Sequence, residues 1–403
     1  MAVNLSPPGG LLPVAGVRLG ATAAGVRTAG REDLVLVALD AGSSVAGLFT
    51  RNAFSAAPVQ LCRARLRERA ALRGLLINSG NANAGTGAAG LEAARHCAAA
   101  AEAHVGGTVL PFSTGVIGQA LPATRIAVAV PRAADRLRAD GWLDAARAIM
   151  TTDTVPKGAS RQLEIGGVPV TITGIAKGAG MICPDMATLL AFIATDASIS
   201  RAMLQPMLER AAADSFNAIT VDGDTSTNDS LVLMATGAAG APALAPESPQ
   251  LAAFEAALGA LCAELAQAVV RDGEGATRFI TITVTGARDR DEARRVAYTL
   301  AHSPLFKTAA FAGDANWGRI LAAVGRAPVA ALDLSRVAIA VDEVPLIVGG
   351  EPHPDYSEAA GSAVFARAEF GVRIALGRGD AQAAVYTCDL SHDYVRINAE
   401  YRS

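Results

Sequence analysis

The chain has 403 residues, of which 51% are hydrophobic and 18% are charged. This length and composition can build a large apolar core divided over two or three domains. The net charge of −3 gives no general attraction to nucleic acid or to acidic membranes, and no block of Lys or Arg is present that would follow a phosphate backbone. We therefore expect neither a nucleic-acid partner nor a membrane partner.

The five cysteines are an odd number and show no C-x-x-C spacing, so neither a disulfide framework nor a zinc knuckle is indicated. A reducing cytoplasm fits them best. The N-terminal residues lack the charged segment and apolar core of a secretory signal, and we expect no later apolar run to approach the length of a membrane span. The sequence thus predicts a cytoplasmic protein.

Two polar segments follow predicted strands in the first third of the chain. Asn78–Gly85 comes after the strand Leu75–Ile77 and before a helix, where free N–H groups can bind an anion or substrate, although a capped turn has the same pattern. Ser113–Gly118 follows the strand Val109–Phe112 and pairs a hydroxyl with a glycine N–H. Two donors of this kind can stabilise the oxyanion of an acyl transfer.

Only three of the 35 basic residues are lysines, namely Lys157, Lys177 and Lys307. Where arginine has replaced most surface lysines, the lysines that remain are expected to need a compact, flexible ammonium group. Chance survival is the alternative. Lys157 closes the polar run Thr151–Lys157, which follows a helical face running from Trp142 to Met150.

The segment Leu163–Ile175, interrupted by Gly166-Gly167, predicts a hairpin that delivers Lys177 to a glycine-rich turn. The turn leads to Thr188 at the start of an apolar strand. Such a Thr is ordinarily a β-branched strand residue. A hydroxyl becomes a useful nucleophile when a base lies beside it, and a cut before Thr188 would supply an α-amine with a pKa of about 7.7–8.0.

Other polar groups do not form a metal or hydrolase motif. Asp222–Asp229 has Thr227 where a calcium loop of the EF-hand type requires Gly, and its closing Glu is absent. The five histidines lack metal-binding spacing, and no G-x-S-x-G surrounds a serine. We therefore expect no metal site and no Ser-His-Asp hydrolase.

The C-terminal half continues the mixture of helices and strands. Gly237–Pro246 predicts a loop, and an apolar stripe from Leu251 to Leu265 predicts a helix with Ser248-Pro249 as its cap and first turn. Alternation over Ile280–Thr285 predicts a half-buried strand. Strands and helices do not alternate regularly, so the sequence favours an α+β layered sandwich over a doubly wound parallel sheet.

Taken together, these segments resemble the ornithine acetyltransferase family, the self-cleaving glutamate N-acetyltransferases of arginine biosynthesis. The matching segments occur in family order over nearly the whole chain. They are Asn78–Ala84, Ser113–Gly118, Met150–Lys157, Lys177–Phe192, Val221–Ser230, Asp272–Thr277, Ser303–Ala309, Gly313–Ile320 and His392–Ser403.

The resemblance implies a layered αββα-type sandwich with a smaller second α/β domain, in an enzyme of the N-terminal-nucleophile type. Cleavage between Ala187 and Thr188, through an N-to-O acyl shift, would give an α chain of residues 1–187 and a β chain of residues 188–403. Thr188 would be the nucleophile and its α-amine the base. The family implies a heterotetramer of two α and two β chains.

The resemblance also assigns the reaction and the site. An acetyl group would pass from N2-acetyl-L-ornithine to Thr188 and then to L-glutamate in a ping-pong scheme, with Thr114 and Gly115 as oxyanion donors. No cofactor is implied, and acetyl-CoA is an alternative acetyl donor that the sequence does not decide. The substrate contacts implied are Thr151, Lys177, Thr188, Glu274, Asn398 and Ser403.

Chemistry suits Lys177 to a substrate carboxylate and Glu274 to a substrate ammonium group, although Glu274 could equally support the base. Two other functions remain as alternatives. A self-processing aminopeptidase would pass the acyl group to water, and a binding protein would never be cut.

Overall fold

The computed structural model describes residues 2–28, 30–68, 71–183 and 189–400. The chain divides into two compact units. The larger unit holds Pro7–Asn217 and Asp224–Val269. The smaller unit holds Ala218–Gly223, the described chain from Val270 on and the first residues up to Ser6.

The larger unit contains two sheets and the helices that cover them. Its strands are β1 (Val17–Thr22), β2 (Leu34–Leu39), β3 (Ser44–Phe49), β4 (Leu72–Asn81), β5 (Thr108–Val116), β6 (Lys157–Ile165), β7 (Val168–Lys177), β8 (Leu190–Thr195) and β9 (Ser230–Ala235). Its helices are α1 (Ala57–Arg67), α2 (Gly87–Val105), α3 (Ala123–Asp135), α4 (Trp142–Ala148), α5 (Arg201–Ala213) and α6 (Leu251–Arg271), which ends just past the unit's last residue.

The described strands of this unit form one four-stranded sheet and one five-stranded sheet. The first has the order β1-β2-β4-β5, with β4 and β5 parallel. The second has the order β3-β9-β8-β7-β6, with β8 and β9 parallel. The remaining neighbours in both sheets are antiparallel.

Strand β2 shows why the two sheets form inner layers. Successive side chains of the strand point to opposite faces of the sheet. All six are apolar and buried, so both faces of the strand are covered. Leu34 and Leu36 join a cluster with α2 and α3, whereas Val35 and Val37 join a cluster with residues of the second sheet. On the outer side of the second sheet, Leu261 and Leu265 of α6 approach β7 and β8 at Gly174 and Ile193. The layers are therefore helix, sheet, sheet and helix, which confirms the predicted αββα sandwich.

Helix α6 combines length with low polarity. It has 21 residues and a mean hydropathy of 1.5 over its most apolar 18-residue window, which would suffice to cross a membrane. The expectation that no apolar run approaches that length is therefore wrong. Half of the window is buried within the protein, as in a helix that covers a sheet.

The smaller unit contains a sheet of six described strands in the order β13-β12-β11-β14-β10-β15, in which only the β10–β14 pair is parallel. The strands are β10 (Phe279–Ala287), β11 (Ala338–Val341), β12 (Val344–Val348), β13 (Glu351–Pro352), β14 (Glu369–Ala375) and β15 (Ala381–Cys388). The helices are α7 (Arg290–Ala301), α8 (Pro304–Ala312), α9 (Trp317–Gly325), α10 (Glu358–Phe365) and α11 (His392–Glu400). A separate apolar core joins residues of the sheet to residues of α7 to α10.

Most predicted elements are present, with shifted ends. The Gly166-Gly167 hairpin joins β6 and β7, and β10 has the predicted half-buried alternation. The helix predicted to start at Ser248-Pro249 begins at Leu251, because Ser248 accepts a turn hydrogen bond from the Leu251 N–H. The helical face predicted to end at Met150 stops at Ala148.

We expect Phe192→Ala to lower the free energy of unfolding by about 3–5 kcal/mol, because it opens a cavity between the two sheets of the larger unit. Phe192 on β8 is buried and meets Phe112 on β5 edge to face, with ring centroids 5.0 Å apart. Urea unfolding measures the change. Phe54→Ala is the control, since that ring is 78% exposed. Equal effects of the two substitutions would contradict the assigned core.

Candidate active site

The site residues predicted from the sequence fall into three groups. In the larger unit the structure describes Thr114, Gly115, Thr151 and Lys177. In the smaller unit it describes Glu274 and Asn398. Ala187, Thr188 and Ser403 lie outside the described residues.

Thr114 and Gly115 lie in strand β5, which runs on to Val116, and not in a loop after Phe112 as the sequence suggested. The parallel pairing of β4 and β5 continues beyond the apolar residues and opposes Gly80 to Gly115. Gly115 has a φ of +128°, and a Cβ there would lie 2.4 Å from the carbonyl carbon of Gly80. This position therefore requires glycine, which also leaves the backbone uncovered by a side chain.

Lys177 meets Thr114 inside the protein. It is the last residue of β7, and its Nζ donates a hydrogen bond of 3.2 Å to Thr114 Oγ1. Both side chains are buried. Because the hydroxyl oxygen accepts from the ammonium group, its own proton is directed to another acceptor. The pair can therefore present an O–H donor and a positive charge to a developing oxyanion.

Asp153, which is not among the predicted site residues, organises this region. One carboxylate oxygen accepts from Lys157 Nζ and from the Gly178 N–H, both at 2.7 Å, and the other accepts from the Thr151 N–H at 2.9 Å. These bonds fix the backbone beside Lys177 and the position of Thr151. The signal was present in the run Thr151–Lys157, where one acid and one Lys are four residues apart.

The charge on Asp153 is balanced by lysines. The Asp153 and Lys157 side chains are fully buried. Burial by itself raises the pKa of Asp153, but the ammonium groups of Lys157 and Lys177, with the hydrogen bonds from Lys157 and Thr151, hold this pKa well below its usual range. The carboxylate is therefore ionised throughout the neutral pH range.

All three lysines of the chain are buried, which favours specific roles over chance survival. Their exposed fractions are 1% for Lys157, 8% for Lys177 and 4% for Lys307. Lys307 lies in the smaller unit, where it donates to Thr387 Oγ1 at 2.9 Å and to the Cys388 carbonyl. A buried ammonium group needs such partners to offset its lost hydration.

The asparagines of the segment Asn78–Gly85 form hydrogen bonds with the chain's own backbone. Asn78 donates to the Asn81 carbonyl at 2.9 Å, Asn81 Oδ1 accepts from the Asn83 N–H at 2.8 Å, and Asn83 donates to the Gly90 carbonyl at 2.9 Å. These side chains stabilise the chain's own backbone. Residues 78–81 belong to β4, and the helix that follows has no side-chain cap, so binding and capping both stay predictions for this segment.

Asn228 and Asp229 belong to the rejected calcium loop and to the family-matching segment Val221–Ser230, and neither was predicted as a site residue. Asn228 Nδ2 donates to the Ala82 and Ser113 carbonyls at 2.6 and 2.9 Å, so it fixes the strand that carries Thr114. Asp229 precedes β9, whose Ser230 N–H donates to the Leu189 carbonyl at 2.8 Å. Polar residues directly before a buried strand were the available signal.

Asp229 is a buried acid of a different kind from Asp153. It is 2% exposed, and its Oδ2 has no hydrogen-bond partner among the residues that the structure describes. Burial raises its pKa well above the usual range, and hydrogen bonds from Ser226 and Thr50 and the charge of Lys177 oppose this only in part. Two buried aspartates near Lys177 therefore have pKa values shifted in opposite directions.

In the smaller unit, Asn398 Nδ2 donates to Glu274 Oε2 at 2.8 Å. Asn398 lies on α11, and Glu274 lies between α6 and β10 with an exposed fraction of 8%. The structure thus brings together two of the residues that the resemblance selected. The Asn398 amide gives the Glu274 carboxylate a hydrogen bond but no positive charge. A cationic group of a ligand would therefore balance the negative charge of that carboxylate.

Within the described ranges, no cluster of three His, Cys, Asp or Glu residues could hold a metal ion. All five cysteines lie in those ranges and are free thiols, of which four are buried.

Comparison with known proteins identifies the family. The model of the ArgJ family matches residues 18–403, nearly the entire chain. The chain belongs to the ArgJ family. The resemblance to the ornithine acetyltransferases of arginine biosynthesis, and the enzyme class that it implies, are thereby confirmed.

Relatives of known name agree with this family. The chain is 58% identical to the arginine biosynthesis bifunctional protein ArgJ of Methylococcus capsulatus, over 98% of this chain and 97% of that protein. A crystal structure of the same protein from Bacillus halodurans is 41% identical, with a TM-score of 0.50, and covers 52% of this chain and 98% of the solved chain. The ornithine acetyltransferase of Mycobacterium tuberculosis, solved with ornithine, is 36% identical with a TM-score of 0.38, over 43% of this chain and 94% of the solved chain.

In this ArgJ-family protein, we expect Asp153→Asn to lower the free energy of unfolding by about 3–5 kcal/mol, because it leaves the buried Lys157 without a counter-charge. Urea unfolding at neutral pH measures the loss. Asp140→Asn is the control, since the Asp140 side chain is 74% exposed and its ion pair with Arg138 lies at the surface.

The same variant tests the pH dependence. The pKa of Asp153 is lower in the folded than in the unfolded state, so its stabilising contribution is complete above about pH 4 and is lost as the pH falls further. The native protein should therefore lose stability more steeply than Asp153→Asn when the pH drops below about 4. Identical profiles would show that the ion pair does not stabilise the fold.

Proposed function

We propose that the protein transfers the acetyl group of N2-acetyl-L-ornithine to L-glutamate, giving ornithine and N-acetylglutamate in arginine biosynthesis. The observation that carries this proposal is the buried Lys177–Thr114 contact in a member of the ArgJ family. The next apolar strand, β8, begins at Leu190, two residues after Thr188. The name of the Methylococcus relative, an arginine biosynthesis bifunctional protein, supports the same pathway. The word bifunctional also supports acetyl-CoA as a second acetyl donor.

Maturation begins with cleavage of the peptide bond between Ala187 and Thr188. The hydroxyl of Thr188 attacks the preceding carbonyl, and the acyl group moves from nitrogen to oxygen, which frees the α-amine and leaves an ester. Water then hydrolyses the ester, which releases the Ala187 carboxylate and restores the Thr188 hydroxyl. One finding about length supports a cut near the middle. The Bacillus halodurans chain, which is matched almost completely, spans 52% of this chain, and residues 188–403 are also slightly more than half of it.

In the transfer step, the Thr188 α-amine accepts the hydroxyl proton while Oγ bonds to the acetyl carbon. The bond between that carbon and the ornithine nitrogen then breaks, and the proton passes to the departing amine. Glutamate enters with a neutral amine, attacks the acetyl-Thr188 ester, and restores the hydroxyl. Each half-reaction therefore conserves one acetyl group and one proton.

Both half-reactions pass through a tetrahedral oxyanion. We assign its stabilisation to the Thr114 hydroxyl and the Gly115 N–H. The geometry supports the hydroxyl in particular, because Lys177 occupies an acceptor position of Oγ1 and thereby orients its proton. Asp153 supports Lys177 indirectly, by fixing the following Gly178 through its N–H.

The substrate contacts follow from the family. We assign substrate binding to Thr151, Lys177, Thr188, Glu274, Asn398 and Ser403, the positions that the resemblance selects. Lys177 suits a substrate carboxylate, and Glu274 suits the side-chain ammonium of ornithine. The mature enzyme is a cytoplasmic heterotetramer of two α and two β chains.

The mass of the purified protein under denaturing conditions tests maturation. The native chain should give two pieces, residues 1–187 and 188–403, and Thr188→Ala should give one uncut chain because the attacking hydroxyl is lost. Thr188→Ser keeps a hydroxyl and should still be cut. An uncut native chain, or cleavage of Thr188→Ala at the same bond, would overturn the assignment.

Thr114→Val tests the oxyanion assignment, because it removes the hydroxyl with little change in volume. We expect kcat for acetyl transfer to fall roughly 10²–10³-fold. The assay measures the N-acetylglutamate formed from acetylornithine and glutamate, and it uses only protein that has been cleaved at Thr188. Thr114→Ser should recover most of the rate. Thr108→Val, on the same strand, is the matched control and should retain it.

An unchanged kcat in Thr114→Val would remove Thr114 from the mechanism. The same assay separates transfer from hydrolysis. If the native enzyme released acetate equally well without glutamate, the aminopeptidase-type alternative would be preferred.

A further inference from the structure

The larger unit has a cavity of about 820 Å³ that the acetyl-transfer scheme does not use. It lies where the end of α1, the edge strand β3 and the start of α5 meet. Three arginines line it: Arg63 and Arg67 on α1 and Arg201 at the start of α5. Its size is within the usual range for pockets that bind small organic molecules, about 300–1,000 Å³.

The cavity carries positive charge. Within the part of the chain that the structure describes, its lining includes no carboxylate, and the nearby Glu209 accepts a hydrogen bond of 3.0 Å from the lining residue Gln205. Among the described residues, ion pairs join many arginines to Asp or Glu, but none includes Arg63, Arg67 or Arg201. Partial burial and then the nearby charge of Arg67 lower the pKa of Arg63. Adjacent guanidinium groups repel one another unless an anion lies between them.

Two of the arginines are held in place by the backbone. Arg63 donates to the Thr50 carbonyl, and Arg201 donates to the Leu66 carbonyl. Each guanidinium carries five N–H donors in a planar fork, so one such bond leaves others to face a ligand. Arginines near a helix C-terminus also offset the helix dipole. The helix dipole would explain Arg67, which lies in the last turn of α1. It does not explain Arg201, which is the first residue of α5 and lines the same cavity.

The remaining lining is suited to an organic anion. Ala202, in the first turn of the 13-residue helix α5, lines the cavity, and the preceding Ser200 makes no capping hydrogen bond with its side chain. The N–H groups of that turn add to the positive potential. Phe49 and Leu66 provide apolar surface beside the arginines.

We propose that this cavity binds a phosphate-bearing small organic molecule, with the phosphate on the arginines and the organic part on Phe49 and Leu66. Two sources share this chemistry: a coenzyme A thioester and a phosphorylated effector. The inner wall connects to the candidate active site through Thr50, which hydrogen-bonds both Arg63 and Asp229. Binding at the cavity does not depend on the proposed acetyl transfer from acetylornithine.

Isothermal titration of the intact protein tests the proposal. The probes are coenzyme A, adenosine 3′,5′-bisphosphate and inorganic pyrophosphate, with adenosine as the uncharged control. We expect saturable binding of at least one phosphate compound, weakening as salt is raised from 50 to 200 mM. Arg67→Gln and Arg201→Gln should each weaken binding roughly tenfold.

Arg95→Gln is the matched control, because Arg95 is an exposed arginine on α2 outside the cavity. Arg67 is also exposed, so its substitution should leave folding and acetyl transfer from acetylornithine unchanged. Coenzyme A binding more tightly than the bisphosphate would identify the thioester as the source, whereas equal affinities would identify an effector.

Two results would overturn the proposal. One is the absence of saturable binding by all three phosphate compounds. The other is binding that Arg67→Gln and Arg201→Gln leave unchanged, which would remove these arginines from the binding site. Neither result depends on whether the chain is cut at Thr188, so failure here is distinguishable from failure of the proposed function.

Discussion

The candidate active site depends on the neutralisation of buried charge around Asp153. A carboxylate and two ammonium groups are removed from water together, and each would be costly alone. The Lys157–Asp153 ion pair fixes the loop after α4, and the bond from Gly178 fixes the end of β7. Lys177 can therefore meet Thr114 across two different sheets. Precise placement of a donor and a charge on rigid strands is what stabilisation of an oxyanion requires.

The architecture was predictable because its signals are local. Alternation in β10, the glycine pair between β6 and β7, and the stripe on α6 each report their own segment. The ends of elements were less accurate, since β4 and β5 extend through polar residues only because they pair with each other. The expectation that no apolar run reaches the length of a membrane span failed for a related reason: a helix that covers a buried sheet can be as long and as apolar as one that spans a bilayer.

The structure joins two residues that the resemblance selected, Lys177 and Thr114, through a support that the sequence did not reveal. Thr114, Gly115 and Lys177 have recognisable chemistry and spacing, whereas Asp153, Asn228 and Asp229 act through partners that are distant in sequence. A run of acids and amides has the same appearance whether it binds metal, caps a turn or fixes a strand. Only the fold distinguishes Asp229, whose pKa is raised by burial, from Asp153, whose pKa is held low by the neighbouring lysines.

The strand order of the five-stranded sheet has a consequence for assembly. Strands β3, β6 and β7 precede Thr188, while β8 and β9 follow it, and the two sets interleave in the order β3-β9-β8-β7-β6. A cut at Thr188 would leave two polypeptides that share one sheet, with β8 held between β7 and β9. They could separate only by breaking that sheet. Folding would therefore have to be complete before the cut, and the two pieces, once separated, would lack the covalent link that guided their first assembly.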